Sequence, residues 1–266
     1  MHKKYDFIIT EFTEDTVIIS LNRPNQGNAF HIEMIRELSE ILDFIEQQED
    51  IRFIVFKSVG KYFCLGADLD WMKGAAKLKS IENYNECFEL VSLFERLACS
   101  EKILIAQVQG HCFGGGIGIT SACDYVIASD KAKFAFGEVK LGLVPATIMP
   151  LVIRKLGVSK AQQLMLTGKE IYPGEALACG LIDIISPADS VEKDVEDLLT
   201  VLRSVNKNAQ KQIKKLARKI FSDLYSDEIK KYTAKLLADC RVSEEGSEGI
   251  QAFLEKRTPN WQENVH

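Results

Sequence analysis

A chain of 266 residues with 46% hydrophobic and 27% charged side chains can bury one large core and carry an appendage, which excludes a small stapled scaffold and a disordered chain. A net charge of −5 gives no global field for nucleic acid, so no nucleic-acid partner is expected. The seven cysteines, at 64, 87, 99, 112, 123, 179 and 240, form no CxxC pair and have no histidine at ligand spacing. They read as free thiols of a reducing compartment, with no metal site.

The opening MHKKYDFIITEF alternates like a strand and lacks the apolar core of a signal peptide. No stretch approaches the roughly 20 apolar residues of a membrane span. The expectation is a soluble cytoplasmic protein with no membrane partner. Phe7 and Ile9, then Val17, Ile19 and Leu21, flank the polar turn TEDT as a hairpin would. Pro24 ends the second strand, and Ile32, Ile35, Leu38, Leu42 and Ile45 mark one face of a helix in HIEMIRELSEILDFIEQQ. The strand IRFIVFKS follows, then CLGADLDWMK, the helix ENYNECFELVSLFERLA, and the apolar strand ILIAQVQG.

After the glycine stretch HCFGGGIGITSACD come the strands YVIAS and KFAFG, helices containing LVIRKL and AQQLMLTG, EALACG, and the strand LIDIIS. Short apolar strands alternating with helices predict an α/β fold with buried strands. From Val191 the pattern is helical only: VEDLLTVLRSV, then IKKLARKIFSDL with Ile213, Leu216, Ala217, Ile220, Phe221 and Leu224 on one face, then EIKKYTAKLLADC. The expected organisation is a core domain over 1–190 and a helical oligomerisation region over 191–266.

Gly116-x-Gly118-x-x-Ser121 comes near a dinucleotide fingerprint, but the last position and the distance from the N-terminal unit do not fit, and no Lys-Ser or Lys-Thr pair makes it a phosphate loop. A second turn of the same kind, Phe63 to Leu69, also follows a strand and opens into a helix. Two such turns can each aim a backbone N–H at a common point, which suits a developing oxyanion. Glu138, in KFAFGEVKLGLVPA, is flanked by Phe134, Phe136, Val139 and Leu141. A carboxyl in such a dry setting has a raised pKa suited to moving protons on carbon.

Taken together and in order, LNRPNQGNAF, FCLGADL, QGHCFGGGIGI, ACD, FGEVKLGLVP, LTGKEI, EALACGLID and EGIQAFLEKRTPNW resemble the crotonase (enoyl-CoA hydratase/isomerase) superfamily over nearly the whole chain. The resemblance implies a spiral of ββα units with a C-terminal helical trimerisation region, and a homotrimer or hexamer. It implies an acyl-CoA thioester as substrate and no permanently bound cofactor. Matched residue by residue, the oxyanion donors are the N–H groups of Ala67 and Gly115, and the proton-handling carboxylate is Glu138. CoA and acyl contacts fall on Arg23, Leu65, Gly66, Asp68, Leu69, Trp71, Gly114, Gly118, Leu141, Pro145 and Lys256.

Two-glutamate hydratases of the family carry an acid at the position of Gly118, and this chain has none there. Two enzymatic readings therefore stand: hydration of a 2-enoyl-CoA, and Δ3-Δ2 isomerisation by a lone Glu138. GADLDWMK with FGEVKLGLVPATIMP looks like the branch containing 3-methylglutaconyl-CoA hydratases of leucine degradation, which favours hydration. A non-catalytic acyl-CoA or RNA binding module, suggested by Gly118 and the basic run KNAQKQIKKLARK, is the alternative from another class. His111 and Cys112 read as bystanders, since no orienting acid stands at a defined spacing. Asp68 and Asp70 read as helix caps.

Overall fold

The computed structural model describes residues 3–75, 78–141, 143–222, 244, 248, 252 and 255–260. β1 (Ile8–Phe12) and β2 (Thr16–Leu21) form the expected antiparallel hairpin. α1 (Ile32–Glu46) follows and buries Ile32, Met34, Ile35, Leu38, Ile41, Leu42 and Ile45, the spacing of one apolar helix face. β3 (Phe53–Ser58), α2 (Leu69–Ala75), α3 (Ser80–Cys99) and β4 (Ile103–Val108) come next. Then come β5 (Cys112–Phe113), α4 (Gly115–Ala122), β6 (Tyr125–Ser129) and β7 (Phe134–Ala135). The chain continues through α5 (Met149–Leu156), α6 (Val158–Thr167), α7 (Pro173–Ala178) and β8 (Ile184–Ser186) to α8 (Val191–Arg203) and α9 (Lys207–Ser222).

The main sheet has the order β1-β2-β3-β4-β6-β8, parallel throughout except for the opening hairpin. Parallel strands covered by helices are buried on both faces. Phe53, Ile54, Phe56, Leu104, Ile105, Ala106, Val126, Ile127 and Ala128 accordingly have no exposed surface. This explains why the central strands read as apolar runs, while β1 keeps an alternating pattern.

A second, shorter ladder lies beside the main sheet and is made of fragments. Phe30 pairs with Ala67, Cys64 with Cys112, β5 with β7, and Phe134 with Ile171. Each turn of the chain thus leaves a main-sheet strand, contributes a short rung to this ladder, and then enters a helix. The change of direction requires close backbone approach at one point. A Cβ on Gly110, between β4 and β5, would lie 2.0 Å from the Lys61 carbonyl oxygen.

The chain divides into two compact units, Met1–Val195 and Glu196–His266. α9 belongs to the second, while the expected helix EIKKYTAKLLADC and Leu224 lie outside the described residues. Among the described residues, no helix is long and apolar enough to cross a membrane, and no cluster of His, Cys, Asp or Glu could hold a metal ion.

The Gly110 contact gives a prediction. Because Gly110→Ala must displace the backbone of Lys61, it is expected to cost about 2 kcal/mol and lower the melting temperature by roughly 4–8 °C. Scanning calorimetry checks this; an unchanged melting temperature would mean that the approach is not under constraint.

Candidate active site

The chain from 23 to 30 sets one side of the site. Asn28 is fully buried at φ 55° and its side chain accepts the Arg23 N–H and donates to the carbonyls of Val59 and Tyr62. Three backbone bonds then join this segment to the turn at 65–68: Leu65 N–H to Gly27 C=O, Phe30 N–H to Gly66 C=O, and Asp68 N–H to Phe30 C=O. Along an extended chain successive amides face opposite edges. With the Gly66 carbonyl and the Asp68 N–H both turned to Phe30, the Ala67 N–H faces the other edge, and among the described residues it has no backbone acceptor.

On that other edge runs the glycine stretch. Phe113 donates to the Cys64 carbonyl at 2.8 Å, and Phe63 and Cys64 both donate to the carbonyl of His111. Gly114 sits at φ 47° and Gly66 at φ 99°, conformations that side chains rarely adopt. The two turns touch: a Cβ on Gly114 would lie 3.3 Å from the Gly66 Cα. Gly115 is the first residue of α4, so its N–H has no partner within the helix, and among the described residues none of the backbone bonds outside the helices uses it. A Cβ at Gly115 would meet the Phe30 ring at 2.6 Å.

Glu138 enters from the third rung, in a 3-10 turn at Gly137–Leu141 just after β7. Its Oε1 lies 3.0 Å from where a Gly114 Cβ would stand, and its Oε2 is buried without a hydrogen-bond partner. Burial pushes its carboxyl above the ordinary value of 4.5, opposed only by a hydrogen bond from its own backbone N–H. Ala67, Gly115 and Glu138 therefore sit at the ends of neighbouring rungs: two uncommitted N–H donors and one desolvated acid. Such a set can stabilise negative charge on an oxygen and move a proton at a nearby carbon.

Other expected residues fall around this centre in different ways. The Arg23 guanidinium is turned inward, bonded to Asp68 Oδ2 at 2.8 Å and to the Ala29 carbonyl, with its side chain 13% exposed. Asp68 uses its other oxygen to accept the N–H groups of Asp70 and Trp71, so it caps α2 as expected and links Arg23 to the turn carrying Ala67. Trp71 donates from Nε1 to Glu86 and ties α2 to α3. Leu69 and Leu141 are well exposed, Leu65 is on the margin of exposure, and Pro145 is buried. Lys256 belongs to the second unit, exposed and at φ 55°.

Gly118 is buried one turn along α4 from Gly114. A Cβ there would lie 2.5 Å from the Phe94 ring and 2.6 Å from an Ile148 methyl group. The space beside it is occupied by apolar atoms. Phe30, Phe94 and Ile148 were not among the expected site residues. Phe30 ends the LNRPNQGNAF stretch, a local signal; Phe94 and Ile148 come from distant helical segments and leave none. His111 stacks on Phe113 and meets Tyr62 at a tilt, while Cys112 is fully buried.

The raised Glu138 pKa has a testable sign. A carboxyl whose folded-state pKa lies above its unfolded value favours the folded state while protonated, and that contribution is lost as pH climbs from about 4.5 through the folded value. Glu138→Gln, neutral throughout, is expected to be more stable than the parent near pH 7, with the gap narrowing toward pH 4. Paired melting curves at the two pH values check this; a gap that widened on acidification would contradict the desolvation.

The family model for enoyl-CoA hydratase/isomerase matches residues 11–264. A relative from Thermus thermophilus that bears an enoyl-CoA hydratase name is 33% identical over 247 residues, 92% of this chain and 96% of that one. A crystal structure of an enoyl-CoA hydratase from Shewanella pealeana shares 32% identity with a TM-score of 0.90, covering 97% of each chain. An enoyl-CoA hydratase/isomerase from Marinobacter aquaeolei shares 30% with a TM-score of 0.87, covering 96% of this chain and 99% of that one. With a spiral of strand rungs and helices and a family match over nearly its whole length, the chain belongs to the enoyl-CoA hydratase/isomerase family of acyl-CoA enzymes, the crotonases.

Proposed function

We propose that this protein adds water reversibly across the double bond of a 2-enoyl-CoA, with Glu138 as the one side chain that handles protons. The observation that carries the reading is the Glu138 carboxyl, desolvated, with a buried and unpartnered oxygen, against the glycine turn that opens α4. In this reading the thioester oxygen lies between the N–H groups of Ala67 and Gly115. Water adds through its oxygen to Cβ, the π electrons move through Cα onto the thioester oxygen, and Glu138 takes the proton from the water. The enolate then collapses as Glu138 returns that proton to Cα. One water is consumed, and the carboxylate is regenerated.

Leu65, Leu69 and Leu141, which are exposed, would contact the substrate beside the turn at Gly66; the sequence resemblance also assigns Pro145 and Lys256 to acyl and CoA contacts. Arg23 acts in this reading by holding Asp68, since its guanidinium is already engaged. A branched 2-enoyl chain of the 3-methylglutaconyl type belongs to the class that the sequence resemblance indicates. Exposed Ile213 on the apolar face of α9 supports self-association as a trimer or hexamer.

A second reading, Δ3-Δ2 isomerisation, is favoured by the apolar filling beside Gly118. With Phe94 and Ile148 in that space, no second carboxylate orients a water there, and a lone acid can carry a proton between two carbons without one.

Incubation of 2-enoyl-CoA and 3-enoyl-CoA substrates in ¹⁸O-labelled water, followed by mass spectrometry, separates the two. Hydration is expected to yield a 3-hydroxyacyl-CoA carrying the label; conversion of the 3-enoyl-CoA alone, without oxygen uptake, would replace hydration by isomerisation. Glu138→Gln is expected to bind acyl-CoA yet lose about 10³-fold or more in kcat, because the backbone donors survive. Parent-like turnover by that variant would remove Glu138 from the chemistry.

A further inference from the structure

Cys64 lies beneath both donor turns. It is fully buried, faces Cys112 across a parallel bridge, and accepts the Phe113 N–H on its carbonyl at 2.8 Å. Its sulfur accepts the Gly66 N–H at 3.4 Å and faces the Gly66 carbonyl at 3.7 Å, and on the other side its side chain packs against Gly116. Gly66 and Gly116 are the immediate neighbours of Ala67 and Gly115. The fit is tight on the second side, where a Cβ at Gly116 would lie 2.8 Å from Cys64 Cβ and 3.2 Å from Cys112 Sγ.

We propose that Cys64 is a positioning residue whose side chain, bonded to Gly66 and packed on Gly116, sets the spacing between the turn at Gly66 and the start of α4, so that the Ala67 and Gly115 N–H groups converge on one oxygen. The inference rests on the reading of those two groups as an oxyanion hole. A single side chain in contact with the residues next to both donors fixes their separation more directly than either turn does alone. Sulfur suits the task because it accepts an N–H at longer range than the roughly 2.9 Å of an oxygen acceptor. A hydroxyl in the same place has a shorter bond to Cβ and reaches the Gly66 N–H only by drawing that turn inward.

The alternative covalent role does not fit. Burial pushes the Cys64 thiol up to about 12, so it stays protonated and poorly nucleophilic. The sulfur is also engaged with the backbone of Gly66.

The test uses the full-length protein, its Cys64→Ala and Cys64→Ser variants, and butyryl-CoA labelled with ¹³C at the thioester carbonyl, a saturated probe that binds without reacting. Infrared difference spectra read the polarisation of the bound carbonyl. In the parent the band is expected at lower frequency than in free butyryl-CoA. Cys64→Ala should return it part of the way, with kcat on a 2-enoyl-CoA about 10-fold lower and KM nearly unchanged; Cys64→Ser should fall between.

Parent-like carbonyl bands and kcat in both variants, accompanied only by a lower melting temperature, would make Cys64 a packing residue and overturn the inference. Should the Ala variant fail to fold, the Ser variant decides by the same band: displaced toward free butyryl-CoA in support, parent-like against. An unshifted band in the parent itself would reject the oxyanion hole, a failure distinct from that of Cys64.

Discussion

The close approach of two backbone turns, 64–68 and 112–116, is the constraint on which the rest of this molecule depends. Main-chain atoms meet there with almost nothing between them. Glycines at 66 and 114 supply dihedral angles that other residues rarely adopt. Gly115 and Gly116 leave room for the Phe30 ring and for the two cysteines. The helices and the parallel sheet can be seen as the frame that holds these turns in contact, since each rung is reached from a buried strand of the main sheet. Fixed amide dipoles of this kind need no reorganisation as charge develops on an oxygen.

Glu138 is the complement of that arrangement. Its acid strength is set by burial, with one oxygen that has no donor and only its own backbone N–H in opposition. Asp68, only a short distance along the chain from Cys64, shows the opposite treatment. Although burial opposes ionisation, the N–H groups of Trp71 and Asp70 and the Arg23 guanidinium together hold its carboxyl below the ordinary range. One carboxyl is thus kept as an anion to anchor structure, while the other is left able to exchange a proton.

Much of the fold was legible because parallel strands and amphipathic helices write their burial into spacing. The hairpin at Phe7 to Leu21 and the face of α1 follow directly from it. β5 and β7 are only two residues long, and isolated bridges such as Phe30 to Ala67 have no periodicity at all, so the second ladder could not be read from pattern. The glycine turns and Glu138 were visible through residue type and order. What packs on them was not: Phe94 and Ile148 reach Gly118 from segments that precede and follow it by more than twenty residues, and apolar residues in helices carry no mark of which neighbour they will meet. Arg23, expected from the resemblance as a CoA contact, gives no sign in the sequence that Asp68 and the Ala29 carbonyl will engage its guanidinium; only the folded chain brings them to it.

The packing at Gly118 bears on how such an enzyme can change. A carboxylate at that position would have to displace an aromatic ring and a methyl group, because its first carbon would lie 2.5 Å from one and 2.6 Å from the other. An acid at 118 is therefore coupled to the residues at 94 and 148: room for it comes only from movement or truncation of both, and truncation leaves a cavity and reduced stability wherever the acid does not fill it. The acid content of this part of the helix and the packing of the core are thus one problem rather than two.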